Sequence, residues 1–97
     1  MAWQVLITDS ALADLREIVE FIAHDDSGAA ERMGNRLVSR VLDLATMPER
    51  HSLHDAVRGI RKFPVLPYLV FYQCDPITLT VNVLHFWHSS RQWPRFE

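Results

Sequence analysis

The sequence predicts an α+β fold in the order β-α-α-β-β-β, with a helical hairpin packed on a small, mainly antiparallel sheet. Three observations carry this reading. Two stretches in the first half space their apolar residues three and four apart, the repeat of a helix with one buried stripe. Two runs in the last third, Tyr68–Tyr72 and Leu79–Trp87, are rich in β-branched and aromatic residues and flank an Asp75-Pro76 turn. That is the pattern of a β-hairpin with a buried face. Two further segments, Trp3–Ile7 and Val57–Phe63, alternate as strands do.

Taken in order, Trp3, Val5 and Ile7 share one face of a first strand. Thr8, Asp9 and Ser10 are N-cap candidates for a helix from about Ala11, and Asp14 and Glu17 lie near its start, where the helix dipole favours acids. Leu12, Leu15, Ile18, Val19 and Ile22 form its stripe, with Asp14, Arg16, Glu17 and Glu20 opposite. His24 through Gly28 break the pattern, and a second helix is expected from Gly28 or Ala29 through Met33, Leu37, Val41 and Leu44 until Pro48 ends it. Neither helix can bury its stripe alone, so the pair must lie on a sheet. Glu49–Ala56 has no periodicity and reads as a loop; the two histidines and one acid there, His51, His54 and Asp55, lack a further ligand and a helical frame for metal. Val57–Phe63 is the next strand, and Pro64 and Pro67 imply an extended or looped link to Tyr68. Tyr68, Val70 and Tyr72 share one face of the third strand, Leu69 and Phe71 the other. In the last strand Leu79, Val81, Val83, His85 and Trp87 face one way and Thr80, Asn82, Leu84, Phe86 and His88 the other. Both faces are largely apolar, so this strand is expected to be central and covered on each side.

With 97 residues and 48% hydrophobic content, the chain has the makings of one domain, residues 1–97, with one modest core, and not of a disordered segment. No apolar run approaches the roughly 20 residues of a membrane helix, and the N-terminus lacks a basic region followed by an apolar stretch, so a cytoplasmic protein is expected. The single cysteine, Cys74, excludes an internal disulfide and a cysteine-based zinc site, and reads as a small core residue. Nothing in the residues calls for a cofactor. The net charge of −2 hides an asymmetry: residues 1–49 hold nine acids and four bases, giving −5, and residues 50–97 hold three acids and six bases, giving +3. The basic sheet half is the natural place for an acidic partner. Nine of the ten bases are arginine, which suits bidentate pairing better than diffuse attraction.

Four segments in this order resemble the toxins of the RelE/ParE superfamily, the stable partners in bacterial type II toxin–antitoxin pairs. They are Ala13-Asp14-Leu15-Arg16-Glu17-Ile18 on the first helix, Gly59-Ile60-Arg61-Lys62, Tyr68-Leu69-Val70-Phe71-Tyr72, and the closing Val83 through Arg91, where Ser89 stands in the place of the family's glycine after His88. The resemblance implies a growth-inhibiting toxin silenced by a cognate antitoxin, in a heterotetramer or larger assembly with no membrane involved. RelE-like members cleave mRNA in the ribosomal A site; ParE-like members bind DNA gyrase. An inactive member that only binds antitoxin and regulates transcription is the third alternative.

Metal-free RNA cleavage needs a base, an acid and cations on the phosphate. His88, Arg61 and Arg91 are the candidates, with Lys62, His85, Tyr68 and Tyr72 in reserve. Tyr68, Tyr72 and His85 read more naturally as packed or hydrogen-bonded strand residues, and Arg61 and Lys62, as neighbours on a strand, face opposite ways. Six bases against a net −2 are few for a protein seated among ribosomal phosphates. The ParE-like reading, binding rather than cutting, is therefore favoured. Arg58, Arg61, Lys62, His88, Arg91 and Trp93 are the partner-binding candidates, and acidic antitoxin residues are expected to meet Arg58, Arg61 or Arg91. Trp93 and Phe96 in the tail are expected to pack back on the body, the alternative being a partner patch.

Overall fold

In the computed structural model, which describes residues 2–96, two side-chain caps set the helical hairpin. The Thr8 hydroxyl accepts the Ala11 amide at 3.2 Å, opening α1 (Asp9–Ala23), and donates to the Val83 carbonyl at 2.7 Å, which fastens the helix start to the sheet. The Asp26 carboxylate accepts the Ala29 amide at 3.0 Å and opens α2 (Ser27–Leu42). The α-helix stops at Leu42 rather than reaching Pro48: the last turn tightens into a 3₁₀ segment, Asp43–Ala45, and Thr46 is extended. The helices approach closely where Gly34 meets Val19; a Cβ on Gly34 would lie 3.2 Å from Val19 Cγ2.

The strands are β1 (Gln4–Ile7), β2 (Leu53–Asp55), β3 (Ile60–Val65), β4 (Tyr68–Asp75) and β5 (Thr80–His88), in the sheet order β1-β5-β4-β3-β2. β1 runs parallel to β5 and the other pairs are antiparallel. This is the α+β fold the sequence predicts, with one more strand. Both helices lie on one face, where Ala11, Leu37, Val41 and Leu44 bury against Phe63, Val65, Tyr68, Val70, Tyr72, Val81, Val83 and Phe86. Among the described residues no helix is long and apolar enough to cross a membrane.

Four local readings change. The segment read as a loop, 49–56, holds part of a 3₁₀ turn, Pro48–Arg50, and the edge strand β2, too short to display an alternation. The strand read as Val57–Phe63 begins instead at Ile60 and runs through Pro64 to Val65. Asp55 Oδ1 accepts the amides of Val57 and Arg58, turning the chain, and Gly59 completes the turn at φ 69°. Pro64 is tolerated because β2 pairs only with the start of β3, as far as Lys62, and the outer edge beyond has no ladder for its missing N–H to break. In β5, Tyr72 pairs with Val83 but Phe71 pairs with His85, so Leu84 is an extra residue and the alternation reverses there. Val81 and Val83, then Phe86, face the helices, while His85 and Trp87 turn to the other side. β5 is central, and among the described residues the C-terminal tail lies over its second face.

A Cβ at Gly59 would meet nothing within 4 Å, so the cost of substitution there is conformational alone. Gly59→Ala is expected to lower stability by about 1 kcal/mol, read from the urea midpoint.

Candidate functional site

The reversal at Leu84 aims Phe86 and His88 at α1 and opens a cleft of about 420 Å³ between that helix and the end of the sheet. Its floor is apolar, with Ile18, Tyr68 and Phe86, and the exposed Phe21 also lines it; Asp14 and Glu17 form one wall, His88, Ser90 and Arg91 the other. The chain turns at the end of β5 because the Ser89 amide donates to the Pro67 carbonyl at 2.8 Å and the Arg91 amide to the His88 carbonyl at 3.0 Å. Ser89 therefore fits where the family motif has glycine. His88 Nδ1 accepts the Ser90 amide at 3.1 Å and lies 2.7 Å from the Ser90 hydroxyl, so the proton of the neutral ring sits on Nε2. The ring stands edge-on to Tyr68, 5.5 Å between centroids, and burial raises the Tyr68 pKa.

His88 and Arg91 share this cleft; Arg61 and Lys62 do not join them. Arg61 pairs in register with Tyr72, and His88 with Tyr68, four residues along β4 and roughly 13 Å away. Its guanidinium donates to the His51 carbonyl at 2.6 Å. Lys62 is on the opposite face, with its Nζ 3.8 Å from the Trp93 ring centroid. Arg58 lies in the turn before β3, 3.9 Å from Asp55 through Nε. Of the candidates His88, Arg61 and Arg91, with Lys62 in reserve, the structure thus brings only His88 and Arg91 together. Tyr72 is fully buried and donates its hydroxyl to the Pro48 carbonyl.

One site residue escapes the sequence reading. Asp14, placed there on the solvent face of α1, turns inward, and its Oδ2 accepts His85 Nδ1–H at 2.7 Å and the Phe86 amide at 3.1 Å. The spacing held the signal: Asp14 follows buried Ala11 by three and precedes Ile18 by four, which puts it on the flank of the apolar stripe.

Residues 5–93 match the family of the ParE toxin of the type II toxin–antitoxin system parDE. The chain belongs to this ParE toxin family. It is 37% identical over 84 residues to toxin RelE2 of Caulobacter vibrioides, covering 84% of this chain and 93% of that toxin. The fold is shared with the toxin–antitoxin complex RelBE2 of Mycobacterium tuberculosis (TM-score 0.70, 22% identity, 91% of this chain and 99% of that one). It is shared equally with a chromosomal ParDE system of P. aeruginosa (TM-score 0.74, 16% identity, 90% and 96%).

In this ParE-family toxin the tail lies over part of the sheet face away from the helices. Trp87 Nε1 donates to the Gln92 carbonyl at 2.9 Å, and Phe96 packs 5.4 Å from Phe71 and 5.7 Å from His85. The tail packs back on the body, as expected. His54 lies under it, 4.6 Å from Trp93 and 4.9 Å from Phe71, with Nδ1 sealed from solvent. His51 stacks instead on Phe63 at 4.5 Å, on the helix side. The two rings diverge onto opposite faces and do not form a common ligand set. Cys74 is half-buried against the core, and burial raises its thiol pKa.

Burial lowers the pKa of His51 below 6.5, aided by Arg50, Arg40 and Arg61. Burial lowers His54 likewise; Lys62 acts in the same direction and Asp55 against it. Between these lowered values and 6.5 the unfolded chain binds more protons than the folded one, so these rings make stability rise with pH across that window. The urea midpoint should fall as pH drops through about 6.5, and the double variant His51→Phe/His54→Phe should flatten that slope.

Proposed function

We propose that this toxin arrests growth by binding a protein, DNA gyrase, and that a cognate antitoxin silences it from the helix-side cleft. The observation that carries this reading is the dispersal of the groups RNA cleavage would need. His88 and Arg91 line the cleft, Arg61 is held by the His51 carbonyl at the far end of the sheet, Lys62 is on the other face, and Tyr72 is sealed in the core. Metal-free cleavage requires base, acid and phosphate clamp within hydrogen-bond reach of one phosphodiester. The cleft has a binding site's make-up instead. An apolar side chain fits over Phe86 and Tyr68, a partner base meets Asp14 or Glu17, and a partner acid meets Arg91. Action on gyrase places the toxin in the cytoplasm.

The likeness to toxin RelE2 favours a second reading, a ribosome-dependent endoribonuclease. Purified toxin is expected to inhibit supercoiling by gyrase and to leave ribosome-bound mRNA intact. Cleavage at A-site codons that His88→Ala abolishes would establish the ribonuclease; inactivity in both assays would leave an antitoxin-binding regulator. The gene beside the toxin's should encode a small protein with a DNA-binding start and an amphipathic end, and the two should co-purify.

A further inference from the structure

The two faces of the sheet carry different chemistry. The helix-side cleft sets Asp14 and Glu17 against His88 and Arg91. The other face collects bases and aromatic rings and is crossed by a groove of about 640 Å³. Leu84 and Phe96 give the groove its apolar surface over the buried Ile60, Arg58 and Arg95 give it charge, and among the described residues no carboxylate lines it. The Arg58 side chain is 46% exposed and approaches Asp55 only through Nε at 3.9 Å. Arg95 is exposed and makes no ion pair among the described residues. Each guanidinium can therefore offer a planar fork of donors to a carboxylate.

We propose that this groove is the surface through which the toxin grips its target, seating a protein segment that presents two carboxylates around an apolar side chain. The antitoxin occupies the separate helix-side cleft. The inference rests on the reading that the toxin acts by binding a protein, and it assigns the face that does so. A nucleic acid fits less well for two reasons. Single strands are held by bases stacked on open aromatic faces along a basic track. Here Lys62 already lies over Trp93 at 3.8 Å, and Arg91 reaches across from the edge of the helix-side cleft to lie over Trp87 at 3.9 Å. The helical half of the chain also carries −5, which opposes a polyanion. Two arginines beside an apolar floor match discrete carboxylates on a protein.

The tail builds the groove. Arg95 and Phe96 belong to it, and it is held down by the Trp87–Gln92 hydrogen bond and the contacts of Phe96 with Phe71 and His85. The target surface therefore exists only while the tail lies on the sheet.

The test compares the wild-type chain with Arg58→Glu/Arg95→Glu in the host bacterium and in co-purification with the antitoxin encoded beside the toxin gene. The double variant is expected to melt like wild type and to retain the antitoxin in full. Its induction should leave at least about tenfold more survivors, because reversed charges repel an acidic partner. A double variant as toxic as wild type overturns the assignment of the face while leaving toxin action by binding intact. A wild-type chain that takes antitoxin but arrests no growth overturns both. A normally melting variant that loses the antitoxin overturns the separation of the two surfaces. Binding of a poly-uridine oligonucleotide by wild type, lost in the variant, overturns the choice of a protein occupant.

Discussion

Tyr72→Ala should lower the stability of the toxin by about 3–5 kcal/mol. A chain of this size has only about 5–15 kcal/mol to lose, so the variant would forfeit roughly a fifth or more of its stability. The ring is 0% exposed and sits 5.9 Å from Phe63 and 6.1 Å from His51, between sheet and helices. Its hydroxyl donates to the Pro48 carbonyl and so holds the Pro48–Arg50 turn on the sheet. Tyr72→Phe keeps the ring and removes that bond, leaving the buried carbonyl short of a donor at a cost of about 1–3 kcal/mol. The pair of variants also tests the chemistry. Burial, with a contribution from Cys74, pushes the Tyr72 pKa up to about 12, so the phenol is a poor proton source at neutral pH. Tyr72→Phe should therefore lose stability in urea titration while its growth arrest, at equal folded concentration, stays that of wild type. A stable Tyr72→Phe protein without toxicity would place Tyr72 in catalysis.

The features legible in the sequence are those set by near neighbours. The helix cap at Thr8, the break between the two helices and the hairpin of β4 and β5 depend on a few adjacent residues, and all are observed close to where the sequence places them. So is the opposition of Arg61 and Lys62, since parity along a strand is local. What was not legible depends on register between segments distant in sequence. The extra residue at Leu84 exists only relative to Phe71 and Tyr72 on β4, and it decides which of His85 and His88 faces the helices. The separation of Arg61 from His88 likewise follows from where β3 and β5 lie against β4. β2 is three residues long and owes its existence to the partner strand. Composition marks the second half of the chain as basic, but the division of those bases between two faces appears only after folding.

Asp14→Ala carries the second large effect, and it acts where register and function meet. β1 ends at Ile7 opposite Val83, so the edge of β5 beyond that point has no strand beside it. Asp14 takes the strand's place, with one carboxylate oxygen accepting both the Phe86 amide and His85 Nδ1–H. Hydrogen bonds to a charged group are worth about 1.5–3 kcal/mol each, and the variant leaves a donor on a partly buried edge, so a loss of about 3 kcal/mol is expected. Asp14→Asn keeps an acceptor for the Phe86 amide and should lose about half as much. A double-mutant cycle with His85→Phe would isolate the His85 share. The functional consequence should exceed the structural one. Asp14 is both the tether of α1 to β5 and a wall of the cleft assigned to the antitoxin. Folded Asp14→Ala toxin should thus bind antitoxin more weakly while keeping Arg58 and Arg95 of the target groove and losing only its hold on His85 there, and cells co-expressing both should be harder to rescue. This is the converse of the Arg58→Glu/Arg95→Glu phenotype, in which antitoxin binding survives and toxicity is lost. An Asp14→Ala toxin neutralised as readily as wild type, despite the measured drop in stability, would show that the antitoxin sits elsewhere.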